Sequence, residues 1–124
     1  MPTKKILIIE DDEFISDLYL RELSKEGYAV TVCRNAEEGE EKIQEKTFDM
    51  VLIDIMLPGK SGMDLLKELH EKNKTQQSIF VLLTNIGQET VVKQGFQLGA
   101  KGYLIKSAFS PKQVVHQIND YFAN

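Results

Sequence analysis

Apolar residues in this chain gather in short unbroken runs: ILII (6–9), MVLI (50–53), IFVLL (79–83) and the weaker YLI (103–105). Such runs lack the in-out alternation of a half-exposed sheet and predict strands covered on both faces, as in a parallel sheet. A further segment, YAVTVC (28–33), alternates and predicts an edge strand. Between the runs the apolar spacing changes to three and four residues. Phe14, Ile15, Leu18, Tyr19 and Leu23 fall on one helix face, which Gly27 closes. Asn35-Ala36-Glu37-Glu38 predicts a helix start with a capping box, and Ile43 continues that face. Gly39 is expected to weaken this helix by up to ~1 kcal/mol relative to Ala. Met63, Leu65, Leu66 and Leu69 mark a third helix, and Val91, Val92, Phe96 and Leu98 a fourth, ended by Gly99. Ser110-Pro111 opens a fifth, with Val114, Val115, Ile118, Tyr121 and Phe122 on its inner face. Strand and helix thus alternate throughout, which predicts an α/β, doubly wound parallel sheet with helices on both faces.

Composition narrows the function. The chain has 124 residues, the size of a single domain spanning residues 1–124, and 42% hydrophobic with 27% charged residues is the balance of a soluble globular protein. Its net charge is −4 and no Lys/Arg stripe is present, which argues against direct binding to nucleic acid. The one cysteine, Cys33, cannot form an internal disulfide. No apolar run approaches a membrane span, and the start MPTKKILIIEDDE turns acidic too soon for a signal peptide, so a cytoplasmic location is expected.

Open α/β sheets place their sites at the carboxyl ends of the strands. Here the first strand runs into Glu10, Asp11 and Asp12, the third into Asp54, the fourth into Thr84 and Asn85, and the fifth into Lys106 and Ser107. Two carboxylates about 4 Å apart repel by about 4 kcal/mol at an effective dielectric of about 20, so the cluster needs a proton or a cation. Ligation by a few oxygens suits Mg²⁺, which keeps waters and favours a phosphate as co-ligand. A carboxylate nucleophile, Mg²⁺, a lysine and a threonine hydroxyl together meet what a phosphoryl group requires, with Asp54 as the acceptor.

The segments ILIIEDDE, VLIDIMLPGKSG, VLLT and LGAKGYLIK, in that order, resemble the response-regulator receiver domain of two-component signalling. The resemblance covers nearly the whole chain. It implies a five-stranded sheet in the order 2-1-3-4-5 and a phosphorylation-activated switch. Asp54 would accept the phosphoryl group from a sensor histidine kinase or histidine phosphotransfer protein. Asp11 would bind Mg²⁺ directly, Glu10 through a water, and Asp54 and the backbone carbonyl of Met56 would complete the protein ligands. Asp12 would start the first helix. Thr84 would move to the phosphoryl group, Tyr103 would track that movement, and Lys106 would pair with Asp54 or the phosphoryl oxygen. The fourth helix, fifth strand and fifth helix would change their surface for a downstream protein or a fused output domain, and a phosphorylation-dependent dimer is compatible with this scheme. The chain departs from the family pattern at Ser107, where proline is usual, and at Asn85, where a small residue is usual.

Other readings compete. A receiver that binds partners without phosphorylation is the main alternative. A phosphohydrolase of the haloacid dehalogenase type would need a second acid two residues after Asp54, where Met56 stands, so a signalling domain is expected rather than an enzyme. A flavodoxin-like cofactor binder would need a Gly/Ser/Thr-rich first loop, where this chain has EDDE. A strand tyrosine that simply packs is the competing reading for Tyr103, and His70 and His116 read as helix-surface residues.

Overall fold

The computed structural model describes residues 3–106 and 110–123. The departure at Ser107 lies outside the described residues. Strands and helices alternate: β1 (Lys5–Ile9), α1 (Glu13–Lys25), β2 (Ala29–Cys33), α2 (Ala36–Glu45), β3 (Met50–Asp54), α3 (Gly62–Glu71), β4 (Ile79–Thr84), α4 (Glu89–Gln97), β5 (Gly102–Ile105) and α5 (Pro111–Ala123). The strands form one parallel sheet in the order β2-β1-β3-β4-β5. The alternating segment becomes an edge strand, as expected, and β5 forms the other edge.

The period-2 geometry of the central strands divides the core in two. Leu7, Ile9, Val51, Ile53, Phe80 and Leu82 face α2, α3 and α4, meeting Ala36, Leu65, Leu66 and Leu69. Ile6, Ile8, Met50, Leu52, Val81 and Leu83 face the other way, meeting Tyr19 and Leu23 of α1 and Val114, Val115 and Ile118 of α5. Every residue of β3, including Asp54, is buried.

Two aromatic residues expected on inner helix faces are not there. Phe14 is 77% exposed, because at about 100° per residue it stands well round the helix from Ile15, Tyr19 and Leu23. Phe96 is 44% exposed and packs edge-on against Tyr103, with ring centroids 6.3 Å apart. The role of Gly39 also differs from the expectation. A Cβ there would lie 2.4 Å from Ile9 Cδ1, so the glycine lets α2 settle onto β1.

The caps are as the sequence indicates. Asn35 accepts from the Glu38 N–H at 2.8 Å, while Glu38 Oε1 accepts from the Arg34 N–H at 2.9 Å, one residue before the usual position of the return bond. Asn35→Ala should cost about 1 kcal/mol, read as a lower urea midpoint with an unchanged slope. Ser110 and Gln113 exchange the equivalent pair of bonds at the start of α5.

Candidate functional site

The carboxyl ends of β1, β3 and β5 bring Glu10, Asp54 and Lys106 together. Ile8, Leu52 and Leu104 belong to the core on the α1–α5 side, and each site residue follows two positions later in the chain, Asp54 as the last residue of β3 and Glu10 and Lys106 just past β1 and β5. Lys106 Nζ donates to Asp54 Oδ2 at 2.8 Å. It also lies 2.6 Å from Glu10 Oε1, though at an angle outside hydrogen-bond geometry. Glu10 and Asp54 are buried, and the Lys106 side chain is 10% exposed. The second oxygen of each acid is held by backbone. Asp54 Oδ1 accepts from the Met56 N–H at 2.9 Å, and Glu10 Oε2 accepts from the Asp12 N–H at 3.0 Å.

One lysine thus stands between two buried acids. Burial pushes the Glu10 carboxyl up to about 7, with the Lys106 ammonium and the Asp12 N–H opposing the rise and Asp54 adding to it. Burial also opposes charge on Lys106, but Asp54 and Glu10 outweigh it and hold the ammonium above its usual range. The lysine is therefore firmly charged, whereas Glu10 is easily protonated.

Asp11 completes a cluster of acids. Glu10, Asp11 and Asp54 each present an oxygen within 4.8 Å of the other two, with Asp11 exposed. Mg²⁺ holds oxygens at about 2.1 Å, so ligands on opposite sides of it stand about 4 Å apart. This all-oxygen set, open to solvent at Asp11 and holding one carboxylate oxygen without a directed hydrogen bond, fits a hydrated divalent ion. Asp12 takes no part, because its side chain caps α1 by accepting from the Phe14 and Ile15 N–H groups. Met56 faces solvent and contributes its N–H to Asp54.

Thr84 ends β4 one residue past Leu83, the register partner of Asp54. Its hydroxyl is buried and donates to the Asn85 carbonyl at 3.1 Å. Tyr103 is 45% exposed. Thr84, Asn85, Val92, Phe96, Tyr103 and Ile105 line a cleft of about 240 Å³ between α4 and β5. His70 and His116 are on the surface, as expected.

Gly62, at the start of α3, was not evident from the sequence. A Cβ there would sit 2.0 Å from the Asp54 carbonyl oxygen, so the missing side chain lets α3 begin directly against the acidic strand end. The only hint is a glycine at a first helical position, where a side chain is normally tolerated.

The sequence matches the response regulator receiver domain family over residues 6–119. It is 34% identical to the transcriptional regulatory protein ResD of Bacillus subtilis over 114 residues, covering 92% of this chain and 46% of that protein. It is 33% identical to the phosphate regulon transcriptional regulatory protein PhoB of Rhizobium meliloti, covering 87% and 48%. The chain spans about half the length of these relatives. A CheY-like receiver domain protein from Methanospirillum hungatei superposes with a TM-score of 0.86 at 28% identity, over 97% of this chain and 94% of that one. Vibrio cholerae CheY4 shares the fold, with a TM-score of 0.87 at 22% identity over 96% and 98% of the two chains. The chain belongs to the response-regulator receiver family of two-component systems.

Proposed function

We propose that the chain, as a single receiver domain over residues 1–124, takes a phosphoryl group on Asp54 from a sensor histidine kinase or a histidine phosphotransfer protein. The observation that carries this reading is Lys106, held between the buried carboxylates of Glu10 and Asp54 with Asp11 alongside. Such a cluster of acids is tolerable where a cation and a phosphoryl group share the site.

The geometry supports the following roles. An Asp54 oxygen attacks phosphorus, the phosphorus–nitrogen bond of the donor histidine breaks, and the imidazole leaves with the bonding electrons and takes up a proton from solvent. The Met56 N–H and Lys106 fix the Asp54 carboxylate before attack, so little reorganisation remains. Lys106 then follows the negative charge from the carboxylate onto a phosphoryl oxygen. Glu10, Asp11, Asp54 and the Met56 carbonyl would hold Mg²⁺, which when bound neutralises phosphoryl charge. Thr84 exchanges its bond to the Asn85 carbonyl for one to the phosphoryl group. That movement opens room in the cleft it shares with Tyr103, and Tyr103 turns inward to fill it. The surface of α4, β5 and α5 changes with it, for a downstream protein or a fused output segment. With a net charge of −4 the domain itself leaves nucleic acid to that partner. A signalling role of this kind, in the cytoplasm, requires no turnover of an external substrate.

The test is incubation with acetyl phosphate and Mg²⁺, read by intact mass. The parent should gain one phosphoryl group, and the gain should vanish in EDTA and in Asp54→Asn. Uptake by Asp54→Asn at the parent level would reject the site. No uptake from acetyl phosphate or from any kinase would favour a domain that binds partners without phosphorylation.

A further inference from the structure

Two aromatic rings stand half-exposed on the seam between α4 and β5: Phe96 of the helix and Tyr103 of the strand. They meet edge to face, with ring centroids 6.3 Å apart and planes at 76°. The fold sets this contact from both sides. In the β4–β5 register Tyr103 stands opposite Leu82, so both side chains point to the face of the sheet that α4 covers. Gly95 lets α4 settle at the same level, since a Cβ there would lie 2.4 Å from Leu82 Cδ1. Phe96, the next residue of the helix, therefore reaches Tyr103 at the height of Leu82.

Thr84 lies at a different level. It is two residues past Leu82 in β4, about 6–7 Å nearer the carboxyl end of the sheet, with Ile105 as its partner in β5. Thr84, Val92 and Ile105 share the cleft of about 240 Å³ with the two rings. A Tyr103 ring that turns inward to Thr84 moves along the strand and leaves Phe96. An edge-to-face pair is favourable because the electropositive edge of one ring meets the electronegative face of the other. That contribution exists only while Tyr103 points outward. Covering the seam would need no more than an aliphatic side chain, which lacks this preference.

We propose that Phe96 is a positioning residue for the switch, an aromatic latch that holds Tyr103 in its outward orientation while Asp54 is unphosphorylated. The proposal rests on the reading of Asp54 as phosphoacceptor and of Thr84 and Tyr103 as the residues that respond to it. The latch sets the resting balance between the two orientations of Tyr103. Breaking it lets the ring enter the cleft without a phosphoryl group. By linkage, whatever favours the inward ring also favours the arrangement of Thr84 that phosphorylation selects.

The deciding experiment is NMR on the unphosphorylated parent, Phe96→Leu and Phe96→Tyr in EDTA. The readout is the through-space contact of the Tyr103 ring protons with the side chain at position 96 and with the Thr84 methyl group. In the parent the contact with Phe96 should dominate. In Phe96→Leu the ratio of inward to outward ring should rise about fivefold, the weight of one aromatic pair. Phe96→Tyr keeps the ring pair and should match the parent. Position 96 is half-exposed, so both variants should melt near the parent temperature. Treating the parent with acetyl phosphate and Mg²⁺ should strengthen the same Thr84 contact. A Tyr103 ring that stays equally outward in Phe96→Leu overturns the latch, as does a shift of equal size in Phe96→Tyr. If the parent takes up no phosphoryl group, the reading of Asp54 fails, while the comparison of the unphosphorylated proteins still decides the latch.

Discussion

Lys106→Met should destabilise the metal-free protein by about 3–5 kcal/mol at pH 8, the penalty for leaving buried charges without their partner. The methionine fills much of the same space, so cavity formation adds little. What disappears is the ammonium 2.6 Å from Glu10 Oε1 and 2.8 Å from Asp54 Oδ2. Two buried acids then face each other without a cation. Glu10 has a way out, because burial already raises its carboxyl to about 7 with the lysine present, and removing Lys106 raises it further. A carboxyl whose folded pKa stands above its unfolded value binds a proton more readily in the folded state. Its stabilisation is complete below about pH 4.5 and is lost as pH climbs through the folded value. The Glu10 share of the deficit should therefore be smaller near pH 5 than at pH 8. Mg²⁺ should restore part of it at pH 8, by supplying the missing positive charge. Urea unfolding at both pH values, with EDTA and with Mg²⁺, measures all three effects. A variant as stable as the parent at pH 8 would mean that Lys106 does not neutralise this cluster.

Much of the fold was legible because fully buried parallel strands are written as continuous apolar runs. ILII, MVLI and IFVLL lie within β1, β3 and β4, and the alternation of YAVTVC marks β2 as an edge. Helix starts were legible where side chains bond to backbone, at Asn35 and Ser110. The charged groups at strand ends were legible as a cluster because Glu10, Asp54 and Lys106 extend runs whose pairing brings their ends together.

What remained hidden depends on which atoms approach from another element. Phe14 fits a loose three-and-four spacing, yet its angle on the helix carries it to solvent. Tyr19 reads as one more apolar-face residue, and only the packed structure shows that its buried hydroxyl ends without a partner. Gly39 reads as a weak point of α2, while its missing side chain is what admits Ile9. Local propensity describes a residue against its own helix or strand, whereas these roles are set by neighbours distant in sequence.

Gly62→Ala should destabilise the protein by about 3 kcal/mol, even though Ala exceeds Gly in helix propensity by about 1 kcal/mol. The new Cβ would lie 2.0 Å from the Asp54 carbonyl oxygen and 2.9 Å from its carbonyl carbon. Both are backbone atoms of a fully buried strand, so neither can turn aside as a flexible side chain would. Either the start of α3 lifts from the sheet or the end of β3 is pushed back, and both displace Asp54. With Asp54 in its proposed role as acceptor, a displacement near 1 Å can cost about 10²-fold, so phosphoryl uptake from acetyl phosphate should fall by roughly that factor even where the variant remains folded. Gly59→Ala provides the comparison. It lies in the same β3–α3 connection with φ +72° and nothing within 4 Å of an added Cβ. Its cost is the left-handed backbone alone, about 1–2 kcal/mol, and its uptake rate should stay near that of the parent. The two variants separate general loosening of the connection from direct pressure on the end of β3. If Gly62→Ala matched Gly59→Ala in both urea midpoint and uptake rate, the close contact of α3 with the Asp54 carbonyl would not be what fixes Asp54 in place.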